Sequence, residues 1–168
     1  MRSNLPTILR RELTNFIAAS VAILVIGAGA LAVVSYPATA GGAPKHYTQI
    51  VPGVAVGGYD PVAYFTEGKA RQGKADVTLK HEGVTFRFAS TENRDTFKAD
   101  PAKYIPQYGG HCAWAAAQGY AAKGDPRNWD VRGGKLYLNY NADIQSRWLK
   151  NPDGFISKAD KKWPEVTG

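Results

Sequence analysis

Two stretches of the chain alternate between apolar and polar residues with a period of two, which is the pattern of half-buried β-strands. The first covers residues 77–88 and alternates on both sides of Glu82-Gly83. The second covers residues 129–138 and does the same around Gly133-Gly134. Two-residue turns rich in glycine join antiparallel strands. The alternation therefore predicts two β-hairpins, each with one buried face.

Helix-capping residues followed by apolar residues at helical spacing predict the remaining elements. Asp60 before Pro61 predicts a short turn of helix, because proline is tolerated at the first helical position. The other predicted helices cover residues 91–99 after Ser90, a short segment from Pro101, and residues 112–118, 142–150 and 155–163. No internal repeat is visible in this series. The predicted fold class is α+β: a small domain with two β-hairpins (four short strands) packed against about five short helices.

The N-terminal 40 residues have the pattern of a secretion signal. Arg10 and Arg11 precede an uncharged apolar run over 16–35, and Ala38-x-Ala40 follows as a cleavage pattern. The run reaches about 20 residues, the length of a membrane-spanning helix, so an uncleaved inner-membrane anchor is the alternative to a signal peptide over 1–40. Both interpretations place the rest of the chain in the periplasm. The adjacent arginines leave both the general secretory route and the twin-arginine route open.

Composition narrows the expected partners. The formal net charge is +7, but the basic residues are scattered singly along the chain, so no nucleic-acid-binding face is predicted. There is no Cys-x-x-Cys, which excludes a thioredoxin-like dithiol and covalent c-type haem. Glycine and proline over 41–53 predict a flexible leader, in which His46 has no expected role, and 54–164 form the domain. The partners left are a metal ion or small ligand, a membrane-associated protein, or a second copy in a homodimer.

Cys112 is the only cysteine of a chain expected in an oxidising compartment. It cannot form a disulfide within its own chain, so it is buried and inert, a metal ligand, or a reactive thiol. Thiolates bind soft ions such as Cu(I) or Zn(II), and imidazoles complete such sites. The candidate metal ligands are Cys112, the adjacent His111, and His81, which the strand alternation places on the apolar face. No acid–base pair or catalytic triad is apparent, so an enzyme is not the expected function.

Aromatic residues next to glycines mark a second candidate site. Most should belong to the core, but a pocket formed by some of them beside Cys112 is the place to expect a small ligand. The candidate pocket residues are Tyr59, Tyr64, Tyr108, Trp114 and Tyr140.

The middle of the chain resembles the YHS domain. The similarity is carried by Asp60-Pro61-Val62, by Phe86-Arg87-Phe88-Ala89-Ser90, and by the segment from Asn93 to Asp100-Pro101-x-Lys103-Tyr104. The core motif covers 59–105, and an extension over 106–164 resembles exported single-domain members of the family. The resemblance implies a small metal-binding module of the kind found in heavy-metal ATPases and bacterial hydroxylases. Metal-type members carry cysteines at the positions that are here Ala63, Ala89 and Asn93, so the implied ligand set is missing at its usual place.

The sequence therefore predicts an exported binding module of YHS type that holds a soft metal ion, copper or zinc, or a small ligand near Cys112. A structural or protein-interaction domain without chemistry, and a thiol-based redox protein, are the alternatives left open.

Overall fold

The computed structural model describes residues 42–168 and confirms the predicted α+β fold class. The expected signal or anchor over 1–40 lies outside the described residues. Within 42–168, no helix is long and apolar enough to cross a membrane. In chain order the elements are α1 (Ala63–Thr66), β1 (Lys74–His81), β2 (Val84–Phe88), α2 (Thr91–Ala99), α3 (Pro101–Tyr104), α4 (Ala113–Gln118), β3 (Asp125–Arg132), β4 (Lys135–Asn139), α5 (Ala142–Trp148) and α6 (Pro152–Thr167).

Both predicted hairpins are present as two-stranded antiparallel sheets, β1 with β2 and β3 with β4. The turn at Glu82-Gly83 has φ of 47° and 82°, and the turn at Gly133-Gly134 has φ of 57° and 72°. Positive φ at both central residues gives a turn whose twist matches that of the flanking strands. Glycine removes the steric cost of this conformation at three of the four positions.

The elements form two copies of one unit, which overturns the expectation of no internal repeat. The order helix, strand, strand, helix, Pro-led helix runs once through α1 to α3 and again through α4 to α6. Equivalent positions are 52 residues apart at the start of each copy, as for 57 with 109 and 60 with 112. After the first helix of each copy they are 51 residues apart: 74 with 125, 88 with 139, and 101 with 152. Both hairpins have an irregularity in strand pairing at the equivalent place, between Lys74 and Thr78 in β1 and between Asp125 and Trp129 in β3. We refer to residues 55–104 as the first copy and 107–167 as the second copy.

Each copy begins with the same left-handed turn. Val56 and Gly57 have φ of 53° and 57°, and Tyr108 and Gly109 have φ of 56° and 60°. Both turns close with the same bond, in which the backbone N–H two residues after the glycine donates to the first residue's carbonyl at 3.0 Å. Left-handed backbone is costly for a residue with a side chain, and most of all for a β-branched one such as Val56. Its presence in both copies shows that the repeat extends to backbone detail.

The two copies share one core. Phe86 and Phe97 of the first copy pack in the same cluster as Leu136 and Leu138 of the second. Tyr64 crosses between them, because its hydroxyl donates to the Pro126 carbonyl at 2.8 Å. A second cluster lies within the second copy, around the fully buried Trp148.

The last helix begins earlier than the sequence predicts. The sequence predicts that Asn151-Pro152-Asp153-Gly154 separates two helices, with the second running over 155–163. Instead, the Asn151 side chain accepts from the Gly154 backbone N–H at 3.1 Å, and Pro152 occupies the first turn of α6. The four residues are therefore the cap and first turn of α6.

Residues 43–47, which we call the strap, are held against the domain although the sequence predicts a flexible leader over 41–53. Ala43 N–H donates to the Val166 carbonyl at 2.7 Å, and Tyr47 N–H donates to the Gly109 carbonyl at 2.9 Å. His46 is only 5% exposed, and its Nε2 lies 2.9 Å from Glu82 Oε2. A Cβ on Gly109 would overlap the Lys45 carbonyl oxygen, so the close approach of the strap requires glycine there.

Candidate functional site

Cys112 is buried, with 1% of its surface exposed, at the residue that precedes α4. Its backbone N–H donates to the Ala122 carbonyl at 2.9 Å, and its Sγ lies 3.9 Å from Asn139 Oδ1. Burial raises the pKa of the thiol, and nearby backbone N–H groups oppose that rise only in part. Cys112 is therefore a protonated thiol at neutral pH, which is a poor nucleophile.

Asn139 organises the second copy around this thiol. It is fully buried, and its Oδ1 accepts from the Trp114 backbone N–H at 3.3 Å. Its Nδ2 donates to Gln145 Oε1 at 2.6 Å, and Gln145 in turn donates to the Trp129 carbonyl at 2.8 Å. The network joins β4 to the start of α4, to α5 and to β3. The sequence gives a signal for it, since a polar Asn139 ends a strand whose equivalent in the first copy ends in Phe88.

Asp60 occupies the position of Cys112 in the first copy. Its Oδ1 accepts from the Val62 backbone N–H at 2.9 Å, and its Oδ2 accepts from the Ala89 backbone N–H at 2.8 Å and from Asn93 Nδ2 at 2.7 Å. The carboxylate is fully buried and shares its charge among three donors. Asp60 thus fixes the turn before α1 to the end of β2 and to α2. The helix that Asp60 and Pro61 predict begins two residues later than expected, at Ala63, and no side chain caps it.

A cavity of about 230 Å³ opens beside Cys112, and we call it the apolar cavity. Tyr120 and Tyr140 are 49% and 43% exposed at its rim, whereas Cys112 and Ala115 form its buried wall. Its lining residues are Cys112, Trp114, Ala115, Tyr120, Ala122, Tyr140 and Ile144. No charged side chain of the described residues lines it, so it favours a carbon-rich occupant.

A second cavity of about 400 Å³, the polar cavity, shares Ala122 and Tyr140 with the apolar cavity. Two residues of the strap, Pro44 and Tyr47, line one side of it. Lys123 lies at its edge, with Nζ 4.8 Å from the centre of the Tyr140 ring, a cation–π distance. Its lining residues are Pro44, Tyr47, Gln49, His111, Ala121, Ala122, Lys123 and Tyr140.

His111 faces the strap and α6. Its Nε2 lies 2.9 Å from the Pro44 carbonyl oxygen, and its ring packs against Tyr47 and Trp163 at centroid distances of 5.4 and 5.2 Å. Because a carbonyl only accepts, Nε2 carries the proton, and the buried Nδ1 has no hydrogen-bond partner among the described residues. Burial lowers the pKa of His111, so the ring is neutral at physiological pH.

The three expected metal ligands do not converge. Cys112 Sγ faces Asn139, His111 packs under the strap, and His81 packs against Phe86 and Phe97 in the first copy at 6.4 and 5.9 Å. Over residues 42–168 no group of three His, Cys, Asp or Glu side chains is placed to hold a metal ion.

The expected pocket residues separate in a similar way. Trp114 and Tyr140 line the apolar cavity together with Cys112. Tyr108 lies elsewhere, with its hydroxyl donating to Asp160 Oδ1 at 2.8 Å, and Tyr59 and Tyr64 belong to the first copy. Sequence reasoning missed Tyr120 and Ile144, which line the apolar cavity, and Lys123, which lines the neighbouring polar cavity, because only the fold brings these residues together.

Comparisons of the chain with protein-family models, with curated proteins and with solved structures give no match.

Proposed function

We propose that this protein is an exported binding module of YHS type that holds a small apolar molecule in the apolar cavity beside Cys112. The observation that carries the proposal is that this cavity is open to solvent between two exposed tyrosines and has an entirely uncharged lining. Exposed aromatic rings around a concave apolar surface are characteristic of ligand sites.

The place of the cavity in the repeat supports this interpretation. In the first copy, the resemblance to the YHS family implies ligand positions at Ala63, Ala89 and Asn93. The equivalent residues of the second copy are Ala115, Tyr140 and Ile144, and all three line the apolar cavity. The cavity thus lies where the family resemblance would place a ligand, but in the second copy and with carbon atoms in place of thiols.

In the first copy, Asn93 stands at the position of Ile144, and a 2.7 Å hydrogen bond holds its side chain over Asp60. Ile144 has no polar atom that could form the equivalent hydrogen bond, so the space over Cys112 stays open. The duplication therefore leaves a closed, structural first copy and an open, binding second copy.

The occupant is ring-sized and not a metal ion. A cavity of about 150 Å³ lined by apolar side chains can hold benzene, and this one is somewhat larger. Cys112 contributes a soft, polarisable wall, as buried cysteines and methionines do. A copper or zinc ion would need further ligands next to Cys112, and its partner there is an amide oxygen, which is a poor ligand for soft ions.

The test measures binding of N-phenylnaphthylamine, an uncharged dye that becomes fluorescent in apolar sites, to the purified protein in detergent-free buffer. Ile144→Asn copies the residue that closes the first copy. We expect saturable binding by the wild type and a loss of about tenfold or more in Ile144→Asn. Leu149→Asn, at an exposed site just after α5, is the matched control and should bind as the wild type does. Absence of saturable binding, or equal binding by Ile144→Asn, overturns the proposal.

A structural or interaction domain is the second candidate, and the burial of Cys112 favours it over thiol redox chemistry. The partner would be a membrane-associated protein or a second copy that inserts a side chain into the same cavity. This candidate predicts that the free protein binds no small dye. The dye titration therefore separates the two functions.

A further inference from the structure

We infer that the ligand is amphipathic, with an apolar body in the apolar cavity and an anionic end at Lys123 in the polar cavity. This inference rests on the proposed function and deepens it by giving the chemical class of the ligand.

The first step is that the two cavities are neighbours. Both have Tyr140 and Ala122 in their walls, so they lie next to each other. The inferred ligand would extend from beside Cys112 across the Tyr140 ring to the polar cavity. With volumes of about 230 and about 400 Å³, the pair together has the size of an ordinary small-molecule site.

The second step is the charge at the far end. Among the described residues, Lys123 is the one charged side chain that lines either cavity, and no carboxylate lines them. Asp125 lies close enough to interact with Lys123, but it is occupied by Arg127, whose Nη2 is 2.8 Å from Asp125 Oδ2. Lys123 forms no ion pair among the described residues, and its ammonium lies over the Tyr140 ring. An anionic group on the ligand would pair with this ammonium.

The third step is the set of neutral polar groups around Lys123. Tyr47 and Gln49 also line the polar cavity, and both carry donors for an oxyanion. Burial and the neighbouring Tyr140 raise the pKa of Tyr47, so its hydroxyl keeps its proton and can donate. Burial keeps His111 neutral, which leaves the net charge of the cavity near that of Lys123 alone.

The strap is part of this site. Pro44 and Tyr47 form one side of the polar cavity, and they are positioned by the Tyr47 N–H bond to the Gly109 carbonyl. The anionic end of the ligand would therefore lie against a segment that the sequence predicts to be a flexible leader.

The experiment compares two dyes that share one aromatic body. Anilinonaphthalene sulfonate carries an anion, and N-phenylnaphthylamine does not. We expect the wild type to bind the sulfonate about 3- to 10-fold more tightly than the uncharged dye, as for one charge-assisted contact at a partly exposed site. Lys123→Gln should remove that difference and leave the uncharged dye unaffected. Lys80→Gln, an exposed lysine of β1, is the matched control and should change neither affinity.

Failure of this inference is distinguishable from failure of the proposed function. If the uncharged dye binds and Ile144→Asn abolishes its binding, but Lys123→Gln leaves the sulfonate affinity unchanged, the anionic end is refuted and the apolar site stands. If neither dye responds to Ile144→Asn, both are refuted. Sulfonate binding at several sites per molecule also refutes the inference, because it indicates adhesion to loosened protein. Near-ultraviolet circular dichroism of each variant checks that the fold is intact.

Discussion

Asp60 and Cys112 hold equivalent positions in the two copies, yet Asp60 accepts three hydrogen bonds and the Cys112 sulfur faces a single amide oxygen at 3.9 Å. In the first copy a carboxylate joins the start of α1 to the end of β2. In the second copy Asn139 performs that function from the strand itself. The residue at the repeated position is thereby released from a structural role and forms the wall of a cavity.

Asp60→Ala should destabilise the domain by about 3 kcal/mol or more, because buried donors that lose a charged acceptor cannot regain water. Asp60→Asn should cost less, since an amide oxygen still accepts two of the bonds. Asp100→Ala, which removes the exposed cap of α3, is the control and should cost about 1 kcal/mol. Urea unfolding measures all three. If Asp60→Ala lowers the unfolding free energy no more than Asp100→Ala does, Asp60 does not hold these segments together.

The Cys112 thiol should react slowly in the native protein. Its raised pKa keeps the thiol protonated at about pH 8, and its burial keeps reagents away from the sulfur. A disulfide reagent can therefore react only after the structure opens locally. We expect native labelling to be at least about 100-fold slower than labelling in urea. Because ionisation is easier in the unfolded chain, the thiol also lowers stability as pH rises above 9.0, its ordinary pKa. Rapid native labelling would restore the reactive-thiol interpretation.

Gly109→Ala and Gly110→Ala separate backbone strain from contact with the strap. Both glycines have positive φ, so each substitution should cost about 1 kcal/mol or more in strain. Only a Cβ on Gly109 would overlap the strap, whereas one on Gly110 would approach nothing closer than Leu138 at 3.8 Å. Hydrogen exchange at the Tyr47 amide should therefore accelerate in Gly109→Ala alone. Equal exchange in the two variants would show that the strap does not depend on Gly109.

The stability of the protein should decrease as pH falls below His111's ordinary pKa of 6.5. Burial lowers the pKa of this ring in the folded state. Between that lowered pKa and 6.5, the unfolded chain therefore binds a proton at His111 that the native protein does not bind. The contribution of His111 is complete above about pH 7.5 and declines as the pH falls towards its lowered native pKa. In His111→Gln the unfolding free energy should fall less between about pH 7.5 and 5.5. Identical slopes would show that His111 is not the group responsible.

The sequence predicted the elements that are determined locally. The hairpin turns and the α2 boundaries follow from neighbouring residues, such as Gly133-Gly134 and the Ser90 cap, whose Oγ accepts from the Asn93 backbone N–H. The strap was not predictable from composition, because its order depends on a glycine more than 60 residues away, Gly109, that leaves room for Lys45.

The repeat, and the residues that complete the cavity expected beside Cys112, escaped prediction for a related reason. The two copies share the glycines that their backbone turns need, but they differ in side chains with chemical roles. Asp60 corresponds to Cys112, and Asn93 corresponds to Ile144. The shared glycines were visible in the sequence, where Gly57, Gly58, Gly68, Gly73 and Gly83 recur as Gly109, Gly110, Gly119, Gly124 and Gly134. The apolar cavity forms where residues 112–115, 120–122 and 140–144 come together, and no local sequence pattern indicates that contact.

The bond between Ala43 and Val166 brings the two ends of the described chain to one point, and this has a mechanical consequence. A force that pulls on residues 42 and 168 acts first on the strap and on the end of α6, which lie side by side. Their contacts would break one after another, as in unzipping, and the hairpins would be loaded only later. Tension at the ends would therefore open the polar cavity, which the strap helps to form, well before it reaches the shared core.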